Sequence, residues 1–212
     1  MQRGDRPLVT VCTGRPQPFA ESICRLIGNM FVPCVCEMGA WLYHPGTNVY
    51  TLDPRITPGN LEAVASLSSY CRQTFGPLGV TQQPGKTASV TLFHPNTGFL
   101  RETVFPAVRD HVAAARMPFR VSMTWLYINC DLEHISKGTG LDRMLGELKI
   151  PKSRLAGIGD TTSDQCIAER VAFFACPANA QPAIKEHAHL IAKAPEAQGV
   201  VDILSQLVGD GV

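Results

Sequence analysis

The chain has 212 residues, 45% of them apolar, and 19 Lys plus Arg balance 18 Asp plus Glu to a formal charge of +1. That length holds one large domain or one domain with an insert, and it is enough for a real core. The composition excludes wholesale disorder, and the even charge excludes the basic field that non-specific nucleic-acid binding needs.

Residues 1–6 are polar, and the short apolar run at 9–12 is no signal-peptide core. No apolar run reaches the roughly 18 residues of a membrane helix. The chain is therefore expected to be cytoplasmic, with neither a nucleic-acid nor a membrane partner. Residues 8–12 (L-V-T-V-C) predict a buried strand that runs into the loop Thr13-Gly14-Arg15-Pro16. Helical spacing of Phe19, Ile23, Leu26, Ile27 and Met30 predicts a helix over 19–30, and 32–36 predicts a second buried strand. Residues 39–43 and 49–52 predict a hairpin around Pro45-Gly46-Thr47-Asn48.

After Asp53-Pro54 the pattern changes. A helix is predicted over 60–75, short runs at 89–93 and 99–102, a helix over 107–115, and strands at 120–124 and 125–129. Helices and neighbouring strands without steady alternation indicate an α+β unit. The βα alternation then returns, with helices over 138–148, 163–168, 182–187 and 200–208 and strands over 155–159, 171–175 and 189–192. The expected class is α/β, with a core of residues 1–54 and 126–212 split by an inserted α+β module over 55–125.

Eight cysteines sit at 12, 24, 34, 36, 71, 130, 166 and 176, most of them in apolar runs and none in C-x-x-C spacing. They are expected to be reduced core residues rather than disulfides or zinc ligands.

The most informative stretch is Leu155-Ala-Gly-Ile-Gly-Asp-Thr-Thr-Ser-Asp164. A buried strand ends at Gly159 and delivers Asp160 and Asp164 beyond its C-terminal end, the edge at which open α/β sheets bind ligands. Two such acids suit a hard divalent cation such as Mg2+. The same residues also suit a structural role in which Asp164 caps a helix and Asp160 makes a turn. In Thr13-Gly14-Arg15, a hydroxyl, a close-approach glycine and a cation follow another strand, a set able to hold a phosphate oxygen. Lys137 opens a helix, where a cation is mildly unfavourable unless it faces an anion.

Other patterns lack what their chemistry requires. Gly85-Lys86-Thr87 resembles the end of a P-loop, but Val80 stands where the earlier glycine belongs and a strand follows. Gly157-Ile-Gly159 lacks the third glycine of a dinucleotide fingerprint. His187 and His189 are two apart and are assigned to the surface.

Taken in order, these elements resemble the haloacid dehalogenase-like phosphatases over nearly the whole chain. Thr13-Gly14-Arg15 resembles the family's second motif, Lys137 its third, and Gly159-Asp160 through Asp164 its fourth. Cys36-Glu-Met-Gly-Ala-Trp-Leu-Tyr is similar to the E-N-G-A strand of the Cof-type subfamily, with Met38 in place of the usual Asn. Ser136-Lys137-Gly138 is that subfamily's setting for the lysine. Ala175-Cys-Pro-Ala-Asn-Ala180 resembles a segment of archaeal-type phosphoglycolate phosphatases.

The resemblance implies a three-layer core with a parallel sheet, a cap over 55–125, and Mg2+-dependent hydrolysis of a small phosphorylated metabolite such as phosphoglycolate or a sugar phosphate. It assigns the phosphoryl group to Thr13, Gly14, Arg15, Lys137 and Asn179, catalysis to Lys137, and Mg2+ to Asp160 and Asp164. It also implies that the cap chooses the substrate.

One departure stands out. The family's first motif, an Asp-x-Asp that supplies the nucleophile, occurs nowhere in the 212 residues, and Asp5 is isolated and precedes the 8–12 strand. The central strand of the family sheet is expected to be missing with it. Three explanations stand: a start assigned downstream of the true one or a cut chain, a pseudoenzyme that binds a phosphorylated ligand or a protein partner without turnover, or a nucleophile supplied by a second chain. As given, the chain is expected to lack turnover.

Overall fold

A computed structural model describes residues 7–209, so Asp5 lies outside the described residues. The chain divides into two compact units, one of residues 10–140 and one of residues 1–9 with 141–212.

The first unit opens with α1 (Gln17–Ile27), which Pro16 starts and Gly28 ends in the left-handed region at φ 71°. A meander of β1 (Cys34–Cys36), β2 (Trp41–His44) and β3 (Val49–Leu52) follows, in which β2 and β3 form the expected hairpin, in the register Trp41↔Leu52 to His44↔Val49. The predicted strand at 8–12 reduces to a single parallel bridge, Cys12↔Val35, closed by Val35 N–H to Val11 O and Thr13 N–H to Val35 O. Two ladder bonds on one side hold that segment in place without making it a strand.

Next comes α2 (Pro58–Phe75). Thr57 and Asn60 form a reciprocal capping box at its start, which satisfies two otherwise orphaned backbone donors. A four-stranded antiparallel sheet then runs in the order β4-β5-β7-β6, from β4 (Thr81–Gln82), β5 (Ser89–Phe93), β6 (Phe119–Met123) and β7 (Tyr127–Leu132). The strand expected at 125–129 starts later because Thr124 turns the chain through its bonds to Tyr127, leaving Trp125 exposed. The short run at 99–102 is helical. Asn96 caps α3 (Thr97–Phe99), which continues through the π-turn Leu100–Val104 into α4 (Phe105–Ala114).

One face of this sheet packs on α2 and α4, with Val90, Leu92, Ile128, Cys130, Leu132 and Phe119 buried against Leu67, Cys71, Leu100 and Val108. Strand periodicity sends the alternate residues to the opposite face. The helix α5 (Lys137–Leu148) follows and carries the chain into the second unit.

In the second unit β8 (Ala156–Ile158), β9 (Phe173–Cys176) and β10 (Leu190–Ile191) form a parallel sheet in the order β10-β9-β8. Short helices α6 (Gln165–Ala168) and α7 (Pro182–Lys185) and the longer α8 (Glu196–Gly209) complete it. Gly157 lets α6 approach the sheet, since a Cβ there would sit 2.5 Å from Ile167 Cγ2. The α/β class expected from the sequence is the one observed. Among the described residues all eight cysteines are free, and six of them are buried. No helix of the described residues is long and apolar enough to cross a membrane.

Candidate phosphoryl-binding site

The first unit is organised around the turn Glu37–Gly39, where three successive residues have positive φ: Glu37 at 46°, Met38 at 57° and Gly39 at 102°. For Glu37 and Met38 this conformation costs free energy, so other contacts must hold it. Glu37 N–H donates to Arg15 O at 2.8 Å, Met38 N–H to Thr13 O at 3.2 Å, and Ala40 N–H closes the turn on Glu37 O at 3.1 Å.

The Glu37 side chain is 1% exposed and reaches a segment some fifty residues away. It accepts from Thr87 N–H at 2.9 Å, Ala88 N–H at 2.7 Å and the Ser89 hydroxyl at 3.1 Å. Burial holds its carboxyl above the usual range, against the pull of these donors and of the Lys86 charge.

Two candidate segments flank this turn. On one side Thr13 Oγ1 accepts from Arg15 N–H at 3.1 Å, which leaves the hydroxyl proton able to donate elsewhere. Gly14 lies against the turn, since a Cβ there would stand 3.1 Å from Met38 Sδ. The exposed Arg15 sets its guanidinium carbon 5.4 Å from the Tyr127 ring centroid and 5.9 Å from that of Phe19. On the other side Ser136 and Thr139 cap α5 reciprocally, through Thr139 N–H to Ser136 Oγ at 3.2 Å and Ser136 N–H to Thr139 Oγ1 at 3.0 Å. Lys137 is thereby fixed in the first turn of a twelve-residue helix. Gly140 packs directly on the turn, with room for no Cβ between it, Gly39 Cα and Val35. Thr13, Gly14, Arg15 and Lys137 therefore belong to one unit and are joined through one turn.

Asp160, Asp164 and Asn179 belong to the other unit. Asp164 is buried, and its Oδ2 accepts from Asp160 N–H, Thr161 N–H and the Thr161 hydroxyl, each at 3.1 Å. Gly159 makes this possible, because a Cβ there would collide with the Asp164 side chain. A structural role is thus present, though not the expected one: Thr161 is the N-cap and Asp164 the third residue of the capping box of the turn 162–164, and Asp164 precedes α6 without a side-chain cap bond to it. Asp160 is exposed, and its carbonyl accepts from Gln181 N–H at 2.8 Å. Asn179 spans to the start of α8, donating to Glu196 Oε1 at 2.9 Å and accepting from Glu196 N–H at 2.7 Å.

Among the described residues no group of three His, Cys, Asp or Glu side chains could hold a metal ion. The two hard oxygen donors Asp160 and Asp164 fit a cation of the Mg2+ kind, which keeps several waters and takes only one or two carboxylates.

Several polar residues of the four-stranded sheet and its edge belong to no sequence motif. Lys86, dismissed with its P-loop look-alike, donates to Thr91 Oγ1 at 2.6 Å, and Thr91 donates on to Asn129 Oδ1 at 3.0 Å. Asp131 is 3% exposed, and its Oδ1 has no hydrogen-bond partner among the described residues. The alternation in Tyr-Ile-Asn-Cys-Asp-Leu (127–132) was the available signal, because it places Asn129 and Asp131 together on the face away from the apolar core.

Residues 110–204 match the model of the haloacid dehalogenase-like hydrolase family. A phosphoglycolate phosphatase of Methanothrix thermoacetophila is 31% identical over 106 residues, which is 50% of this chain and 48% of that protein. The match therefore spans about half the length of that curated relative. Among solved structures, a HAD/COF-like hydrolase of Plasmodium vivax superposes with a TM-score of 0.69 at 18% identity, over 95% of this chain and 83% of that one. The sucrose-phosphatase of Synechocystis, solved with sucrose and phosphate, gives 0.64 at 17%, over 94% and 84%. At these identities the likeness is one of fold.

Proposed function

We propose that this chain, whose residues 110–204 match the haloacid dehalogenase-like hydrolases and whose fold is similar to theirs, binds the phosphoryl group of a small phosphorylated metabolite in the cytoplasm as a phosphate-monoester hydrolase does and, with no Asp-x-Asp among its 212 residues, does not turn it over. The observation that supports this best is the Glu37–Gly39 turn, which joins the Thr13–Gly14–Arg15 loop to the capped start of α5.

The Thr13 hydroxyl donates to a phosphoryl oxygen, Gly14 lets the backbone come close, and Arg15 adds charge from the rim. Lys137 supplies an ammonium at a helix start, where the dipole also favours an anion. These donors stabilise charge on the transferring group, the main task of a protein in phosphoryl transfer. By resemblance, Asp160 and Asp164 would hold Mg2+, which supplies positive charge when bound. Asn179 is assigned to the phosphate by resemblance, and its amide also anchors α8. Residues 55–125, with β7 completing their sheet, act as the cap that selects the substrate. Phosphoglycolate and sugar phosphates are the two substrate classes suggested by the similar proteins, one by sequence and the other by fold.

A second reading, non-catalytic binding of a phosphorylated ligand or a protein partner, is favoured by the lack of any Asp-x-Asp in the 212 residues. Hydrolysis and the binding of a phosphorylated ligand both require phosphate binding; docking of a protein partner alone does not. Calorimetric titration with inorganic phosphate is expected to show binding that weakens about tenfold or more in Lys137→Ala, the worth of a charged hydrogen bond. No binding, or binding indifferent to Lys137, would overturn the proposal.

A further inference from the structure

The four-stranded sheet of the first unit leaves β6 at its edge. Glu133 N–H donates to Pro118 O and Thr124 N–H to Tyr127 O, which fixes the alternation of the ladder between them. Even-numbered residues of β6 bond to β7, so the N–H and C=O groups of Val121 and Met123 and the C=O of Phe119 point outward. The Phe119 N–H is taken by Met117 O. Open donors and acceptors along an edge are a template for another strand. Within Phe119–Met123 there is no proline and no bulge to prevent this, and Arg120 is the one charge.

Two features flank this edge. Trp125 follows it and is 74% exposed. By strand parity it continues the row of Phe119, Val121 and Met123, which packs toward the apolar core. At the other end of β6 a cavity of about 230 Å3 has an apolar side of Val112, Met117 and Phe119 and a polar side of Arg109, Arg116 and Glu133. Its volume falls below the roughly 300 Å3 at which small-molecule pockets begin, and it suits a single side chain. Glu133 opposes an anionic occupant. An indole satisfies the whole set: its body fits the apolar side, its N–H can donate to Glu133, and its negative face attracts Arg116 and Arg109, which also pairs with Asp110.

We propose that β6 pairs antiparallel with β6 of a second copy of this chain, about a two-fold axis at Val121, and that the Trp125 of each copy enters the cavity of the other. The register follows from the chemistry. Centred on Val121, the pairing sets Phe119 opposite Met123 and Arg120 opposite Ser122 of the second copy. It also brings Trp125 opposite Met117, at the cavity. Val121 exchanges both of its outward bonds with its own copy, and Met123 N–H meets Phe119 O in each direction. A pairing centred on Arg120 would instead set like charges face to face. The contact uses the same patch on both copies, so it closes on a dimer rather than propagating. It requires nothing of the phosphoryl site.

Sedimentation velocity of the intact chain across a concentration series tests this. Wild type is expected to run as a dimer that dissociates on dilution. Trp125→Ala is expected to weaken the dimer about thirtyfold or more, as loss of a buried tryptophan anchor does. Val121→Pro removes an outward N–H without touching the β7 ladder and is expected to abolish the dimer. Should Val121→Pro fail to fold, the exposed Trp125 still gives a variant that does not disturb the core. Leu78→Ala, an exposed apolar site that precedes the opposite edge strand β4, is expected to change nothing. Hydrogen exchange reads the register, with the Val121 and Met123 amides protected in the dimer and open in Trp125→Ala. A wild type that stays monomeric at every concentration overturns the proposal, as does growth beyond a dimer. A dimer indifferent to Trp125→Ala, or one that Leu78→Ala weakens equally, overturns it too.

Discussion

Gly39→Ala is expected to destabilise the chain by about 4 kcal/mol or more, enough to leave many domains of marginal stability largely unfolded. Two costs combine. At φ 102° an L-residue other than glycine is strained. The added Cβ would also fall inside the van der Waals radius of the Ser136 carbonyl oxygen and 3.1 Å from Gly140 N, both of them backbone and neither able to yield cheaply. Relief would require the start of α5 to move, and Lys137 with it. Gly146→Ala is the matched control. That glycine lies in the same helix with nothing within 4 Å of a Cβ, and the change is expected to stabilise by about 1 kcal/mol. Urea unfolding of both variants checks the pair, and a Gly39→Ala midpoint equal to wild type would show that the turn is not a fixed point of the fold.

Glu37→Ala is expected to cost about 3 kcal/mol, because it strands the Ala88 amide and the Ser89 hydroxyl without their acceptor in a buried place and the Thr87 amide at its edge. The left-handed Glu37 and Met38 would also lose the contact that holds them. Acid-base behaviour distinguishes the carboxyl from its shape. Burial raises the Glu37 carboxyl, so its contribution to folding is complete below the ordinary glutamate value of 4.5 and is lost as pH rises through the raised value. Glu37→Gln cannot titrate and is expected to flatten that fall. Denaturation midpoints across this window check the sign, and a wild-type slope that Glu37→Gln leaves untouched would assign the titration to another group.

Much of this was legible in the sequence wherever a local pattern decides the outcome. The hairpin around Pro45–Asn48, the helices expected over 60–75 and 138–148, and the βα alternation after residue 137 follow from periodicity, while the caps at Thr57 and Ser136 were seen only in the structure. What sequence left open depended on partners far along the chain. Residues 8–12 have strand composition, but they find one bridge at Cys12 instead of a ladder. Residues 99–102 carry apolar residues that suit either state, and the Asn96 cap with the following helix decides for helix.

The same holds for the site. Asp164 fits a ligand or a cap equally well by spacing, and only the geometry shows its Oδ2 shaping the Gly159–Asp164 loop. Lys86 and Asp131 are 45 residues apart in number, and nothing local links them until Ser89 pairs with Asp131 in the sheet. Glu37 could be read as part of a motif, yet its task depends on amides fifty residues away.

The most direct measurement is hydrolysis of p-nitrophenyl phosphate by the 212-residue chain in the presence of Mg2+, beside the Asp160→Ala variant. A phosphoryl-binding chain with no Asp-x-Asp among its residues is predicted to show no turnover, while inorganic phosphate still binds and depends on Lys137. Turnover that disappears in Asp160→Ala would contradict this account, because a nucleophile would then have to come from residues to which it assigns no such role.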